Sequence, residues 1–223
     1  TAYEIGVRLV GSEMCIRDRH LSVVGERILR ELKGQSCIDL EAIQPKKNIM
    51  SSKSFGKPLT KKEPIEEALS NYAARACEKL RKQNSRAQAI HVFIQTNGFR
   101  ETDSQYNNAI THTLTTPTSD TRIIIEAAKL CLSRIYRNGY LYKKVGIMLM
   151  DLIPTSLEQK QLFVDFNHHP GDHLMNLVDR VNKDHGSDTL FFGAQGITRE
   201  WKMRCGLRSP RYTTQWDELL IVS

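Results

Sequence analysis

Between residues 48 and 151 the spacing of apolar side chains switches repeatedly between two periods, and the order of the switches leaves few folds open. Strict alternation marks a strand, and a stripe recurring every three to four residues marks a helix. Ile49, Ser51, Lys53 and Phe55 alternate with Met50, Ser52 and Ser54, which predicts a strand over Asn48–Gly56. Pro64 then reads as a first helical residue, where a missing N–H costs nothing. Glu66 and Glu67 suit the positive end of that helix. Its apolar stripe is Ile65, Ala68, Leu69, Tyr72, Ala73, Ala76 and Leu80. Two strands follow, over Ala89–Thr96 and Asn108–Thr116. Ser119 is the expected N-cap of a second helix, with Asp120 in its first turn. Ile124, Ala127, Ala128, Cys131 and Ile135 form its stripe and Gly139 ends it, before a last strand around Val145, Ile147 and Leu149.

The order β-α-β-β-α-β is that of an α+β split βαβ domain, a four-stranded antiparallel sheet with two helices on one face. Its other face is free to meet a ligand. Such a scaffold serves many unrelated functions, so function must come from particular residues.

Charge is the first pointer. The chain of 223 residues has a formal net charge of +7. Residues 46–86 alone carry eleven Lys and Arg against four acids. An excess gathered in one segment suits a polyanionic partner, or a solvated helix face. No apolar run approaches the ~20 residues of a membrane span. The five cysteines are odd in number and never in a Cys-x-x-Cys pair, which fits a reducing cytosol and implies neither zinc nor a disulfide framework.

Outside the sheet domain, Leu21–Lys33 has a short amphipathic pattern with Val24, Ile28, Leu29 and Leu32 on one face, and Gly34 at a helix C-terminus. Gly6–Arg19 shows neither period and resembles a translation of sequencing-adapter DNA, so it is set aside from the fold argument as non-native. In the tail, Leu174, Leu177, Val178 and Val181 mark a helix ending near Gly186. Trp201, Met203 and Trp216 stand among Arg199, Lys202, Arg204, Arg208 and Arg211. Aromatics between cations stack on single-stranded bases, or form the core of a small module with a basic rim.

Between sheet and tail lies Gln159-Lys160-Gln161-Leu162-Phe163. A glutamine, a spacer and two adjacent apolar anchors are the pattern of a peptide that docks on a bacterial sliding clamp. Leu162 and Phe163 would fill an apolar pocket and Gln159 would bond at its rim, a few anchors carrying most of the energy. A Leu-Phe pair is equally the pattern of a core.

Several stretches together resemble the Y-family translesion DNA polymerases of the UmuC type. Ser51-Ser52-Lys53-Ser54-Phe55-Gly56, Tyr72 through Arg81, Leu114 through Thr118 and Gly146 through Leu149 are similar to the family's little-finger domain. Ser22 through Arg27 and Arg30 through Gly34 resemble the end of its thumb. Gly193 through Gly196 and Ser209 through Thr214 resemble its C-terminal extension. The resemblance implies this organisation: residues 1–19 a thumb remnant with the foreign-looking segment, 20–47 the thumb end and linker, 48–151 the little finger, 152–171 a connector holding the clamp peptide, and 172–223 the extension.

It also implies roles. The little finger would hold primer-template DNA by its phosphates, with Ser51, Ser52, Lys53, Ser54, Phe55 and Lys57 on an edge strand. Lys79, Arg81 and Lys82 would add contacts from the end of the first helix, or simply solvate it. Nothing here resembles the palm, whose carboxylates hold the family's catalytic Mg²⁺ ions, so the expectation is a chain with no catalytic residues, metal or cofactor that synthesises nothing alone. The implied partners are DNA, the sliding clamp, the processed UmuD dimer and RecA, with no membrane, in an error-prone polymerase of SOS mutagenesis working at the nucleoid in the cytoplasm. The alternatives are a freestanding clamp-binding regulator that competes with polymerases, and an enzyme of another class, for which no constellation of acids, histidines or a nucleophile is found.

Overall fold

A computed structural model describes residues 23–37, 45–100, 102–157, 170–203, 206 and 209–219. Expectations for Thr1–Ile5, Gly6–Arg19, Gln159, Leu162 and Phe163 lie outside the described residues. The chain divides into two compact units, Thr1–Pro45 and Lys46–Ser223. In the first, residues 23–32 form helix α1. Gly34 follows at φ 81, and the N–H of Gln35 returns to the Arg30 carbonyl at 2.9 Å, a closure that favours glycine.

The second unit holds β1 (Ile49–Leu59), α2 (Lys62–Lys82), β2 (Ser85–Thr96), β3 (Asn107–Thr118), α3 (Thr121–Ile135), β4 (Tyr142–Pro154) and α4 (Pro170–Asp184). The sheet order is β1-β4-β2-β3, every neighbouring pair antiparallel. The last strand is therefore inserted between the two strands that α2 connects. Ile90, Val92 and Ile94 of β2 and Val145, Ile147 and Leu149 of β4 are buried beneath the two helices. From α2 the core takes Ile65, Leu69, Tyr72 and Leu80, and from α3 Ile124, Ala128, Cys131 and Leu132. Burying a large apolar side chain contributes about 1.5–3 kcal/mol, so these stripes hold the helices to one face.

Element ends differ in detail from the expected ones. Helix α2 begins at Lys62 with Lys61 as N-cap, so Pro64 sits inside the first turn and Glu63 is its acid there. The proline is still harmless, because the first four N–H groups of a helix have no partner in the helix. Asp120, not Ser119, caps α3: its Oδ1 accepts the Arg122 N–H at 2.9 Å. Helix α3 stops at Ile135, and Gly139, at φ 92, serves the turn into β4. Strand β2 starts at Ser85, where Arg86 and Ala87 are both buried and the apolar alternation is absent.

The tail packs along α2 in the opposite direction. Met175 of α4 is fully buried, whereas Leu174 and Leu177, two of the apolar residues that mark this helix in the sequence, are exposed. Trp201 enters the main core edge-on to Tyr72, ring centroids 5.6 Å apart, and its carbonyl accepts the Gly56 N–H at 3.2 Å. Trp201 is thus a core residue, while Met203 and Trp216 are exposed.

Candidate nucleic-acid interface

Cross-strand partners share a face, so the register assigns every sheet residue to one side. Ser52 pairs with Gly146 and Gly146 with Phe93, Ser54 with Lys144 and Lys144 with Gln95. These alternate with the buried residues and so form the open face, together with Met50, Met148 and His91. His91, Phe93, Gln95 and Lys144 are half-buried there. Lys144 Nζ lies 5.7 Å from the Phe93 ring centroid, and His91 Nδ1 is 2.9 Å from Thr111 Oγ1. Among the described residues of this unit the face mixes polar side chains with Met50, Met148 and Phe93, Lys144 is the cation beside Phe93, and α2 and α3 pack on the other side.

The predicted edge-strand residues divide three ways. Strand β1 is an edge, and the Ser52 and Ser54 side chains lie on the open face. Ser51 and Lys53 pair with the buried Ile147 and Val145 and leave the strand on the helix side, where Lys53 is exposed at the rim. Lys57 is exposed in the irregular stretch between Ser54 and Leu59. Neither lysine has an ion pair among the described residues. The Phe55 side chain is fully buried in the core, so this residue can offer the edge only its main chain, and its carbonyl accepts Lys143 Nζ at 2.8 Å. Its place in the alternation was read, but not its burial.

The end of α2 is a correction. Arg81 turns toward the tail, with Nε 2.6 Å from Asp179 Oδ2 and Nη2 2.7 Å from Oδ1, while Nη1 donates to the Ser119 carbonyl and the Thr121 hydroxyl. Burial opposes its charge, but the Asp179 hydrogen bonds and neighbouring acids outweigh this and raise its pKa. A guanidinium with four such bonds is not available to a phosphate. Lys82 pairs with Glu78 at 2.8 Å but is exposed, and Lys79 is exposed with no ion pair among the described residues.

The same cations hold the tail. Arg86 Nη2 meets Asp172 at 2.6 Å, and Arg75 meets Asp188 at 2.9 Å. A Cβ on Gly171 would lie 2.1 Å from Asp120 Oδ2, so the start of α4 reaches the cap of α3 only because residue 171 has no side chain. Between α2 and α4 remains a cleft of about 610 Å³ lined by Arg75, Arg81, Asp179 and Asp188 among others. Three cations of residues 46–86, Arg75, Arg81 and Arg86, are therefore paired with acids of the tail. Sequence reasoning missed Lys144, although the alternation of Val145, Ile147 and Leu149 already assigned residues 144, 146 and 148 to the opposite face. No three His, Cys, Asp or Glu side chains gather in a metal-binding group among the described residues. Nor is any described helix long and apolar enough to cross a membrane.

Fold and face together define a split βαβ sheet domain with one open face and a C-terminal segment docked on its helices. Residues 46–162 match the impB/mucB/samB family C-terminal domain, and the chain belongs to that family. Residues 172–222 match a domain of unknown function (DUF4113). Protein UmuC of Salmonella typhimurium strain LT2 is 41% identical over 206 residues, covering 92% of this chain and 49% of the relative. Protein SamB of Salmonella typhimurium is 40% identical over 203 residues, 90% of this chain and 48% of the relative. DNA polymerase IV of Caulobacter vibrioides is 27% identical over 166 residues, 73% of this chain and 40% of its own length. The chain spans about half the length of the curated relatives it matches. The UmuC-type resemblance of the sequence is thus found across nearly the whole chain.

Proposed function

We propose that this chain is the DNA-holding and clamp-binding C-terminal part of an error-prone translesion polymerase that acts in SOS mutagenesis and DNA-damage tolerance. The observation that carries the reading is the open sheet face with its edge strand: Ser52, Ser54 and Lys144 on the surface, Lys53 and Lys57 at the rim. Short hydroxyls and lysines in that arrangement suit phosphates and read no base sequence, as a polymerase for damaged templates requires. Similarity to UmuC and to a protein named DNA polymerase IV supports the same reading.

In this reading the duplex of a primer-template lies along the β1 rim of the sheet, and affinity comes from counterions released by the lysines. Gln159, Leu162 and Phe163 tether the protein to the sliding clamp, and the tail is where the processed UmuD dimer and RecA engage. The chemistry of nucleotide transfer is supplied by a palm domain with its Mg²⁺ ions, not by these residues.

Binding to primer-template measured against salt tests the reading. Affinity should be sequence-tolerant and fall steeply with salt, and replacing Lys53 and Lys57 by Ala should flatten the slope by roughly one unit per lost phosphate contact. An unchanged slope would remove the edge strand from the interface.

A further inference from the structure

We propose that Phe93 and Lys144 form a stacking site for an unpaired base of single-stranded nucleic acid at the centre of the open face. The inference deepens the DNA-holding reading and rests on it for the polyanionic ligand.

Phe93 lies on the central strand β2 and points away from the core, since its neighbours Val92 and Ile94 are the buried ones. Its ring crosses β4 above Gly146: a Cβ there would lie 2.4 Å from Phe93 Cζ, 2.6 Å from Cε1 and 2.5 Å from the Ser52 Cβ. Glycine at 146 is therefore what lets the ring sit where it does. Ser52, across Gly146 from Phe93, and Ser54, the next residue of β1 on this face, are both short. Lys144 Nζ stands over the ring at 5.7 Å from its centroid, and the His91 ring is 6.3 Å away at an interplanar angle of 36°.

An aromatic ring beneath a lysine ammonium fits one ligand chemistry well: a planar base whose flanking phosphate, one sugar away, comes within reach of the lysine side chain. A base arriving over Phe93 displaces the ammonium from the ring, and the ammonium passes to the flanking phosphate, so neither group loses a partner. Within a duplex the base faces are stacked on one another, and only a terminal pair could present one to this ring. The ligand is therefore single-stranded, and phosphate contacts at the β1 rim remain those of the duplex.

The test uses the full chain with a single-stranded oligonucleotide carrying a fluorescent adenine analogue, and with a blunt duplex. Phe93→Ala should lower single-strand affinity at least about fivefold and abolish the stacking change in fluorescence. Phe93→Trp should retain both. Gly146→Ala, which displaces the ring without removing it, should weaken single-strand binding as well. Duplex affinity should change less than about twofold in all three. The proposal is overturned if Phe93→Ala leaves single-strand binding intact, if Trp fails to restore it, or if duplex affinity falls by the same factor. Failure of the edge-strand reading is seen separately, in the duplex salt slope of the Lys53 and Lys57 variants.

Discussion

Arg81 and Asp179, 98 residues apart in sequence, meet side-on through two hydrogen bonds of 2.6 and 2.7 Å and fasten α4 to α2. Such a fork is a short, charge-assisted pair that lysine cannot reproduce. The Arg81 side chain is only 11% exposed, so removing it strands the Ser119 carbonyl, the Thr121 hydroxyl and the Asp179 carboxylate together. Arg81→Ala should cost about 2 kcal/mol, less than the roughly 3–5 kcal/mol of a fully buried pair because Asp179 is partly exposed. Arg81→Lys should recover only part of it. Urea denaturation gives the loss, and limited proteolysis should cut the tail faster. An Arg81→Ala variant as stable as the parent but weak on DNA would return this residue to the phosphate-binding role.

Asp188 makes the docking sensitive to acid. Burial raises its pKa, but the hydrogen bond from Arg199 and the charges of Arg75, Arg199 and Lys202 outweigh it, and the carboxyl stays below its ordinary value. A carboxylate depressed in the folded state stabilises most above its unfolded pKa of about 3.9, and that contribution disappears as pH falls through the lower folded value. Tail protection against an acid-active protease should therefore drop below about pH 4. Asp188→Asn should flatten that dependence, since Asn tolerates the φ of 70 at this position and only the charge is lost. A parent-like pH profile in the variant would assign the effect to another acid.

Tyr72 reports on Trp201. Burial alone pushes the Tyr72 phenol up to about 12, and Trp201 is the ring packed on its edge. Trp201→Ala should admit water and bring that ionisation back toward 10. Ultraviolet titration, taken as the difference from Tyr72→Phe, isolates this phenol from the other tyrosines. An unmoved Tyr72 would mean that α2 and the sheet bury it without the tail.

Phe55 separates core from contact on the edge strand. Phe55→Ala should lose roughly 3–5 kcal/mol of stability, as large buried aromatics do. Lys53→Ala and Lys57→Ala, each two residues away, should leave the melting temperature nearly unchanged and weaken duplex binding. Equal stability losses in all three would place the lysines in the fold and not at a ligand.

For the clamp peptide, Leu162→Ala with Phe163→Ala should cost ~2 kcal/mol or more of clamp affinity, a fall of about thirtyfold. DNA affinity and melting temperature should hold. A double mutant that melts far below the parent would make these residues core.

The alternation of Ile90, Val92 and Ile94, and of Val145, Ile147 and Leu149, is a local property of the chain that determined the strands and the two sides of the sheet, as the helical period of Ile65, Leu69, Tyr72 and Leu80 determined the stripe of α2. Phe93 and Lys144 were legible on the same ground, because period two assigns every residue of a strand to one side or the other. What a cation does there was not legible. Lys57 and Arg81 are alike as residues in a basic segment, but one is exposed at the rim and the other is bound by an aspartate from the tail.

The insertion of β4 between β1 and β2, the docking of α4 by Met175 in place of Leu174 and Leu177, and the need for glycine at 146 and 171 were decided by tertiary structure alone. Each depends on two surfaces meeting at separations of tens of residues or more. Periodicity says which side of an element is apolar; only packing says which partner comes close enough to exclude a Cβ or to claim a charge.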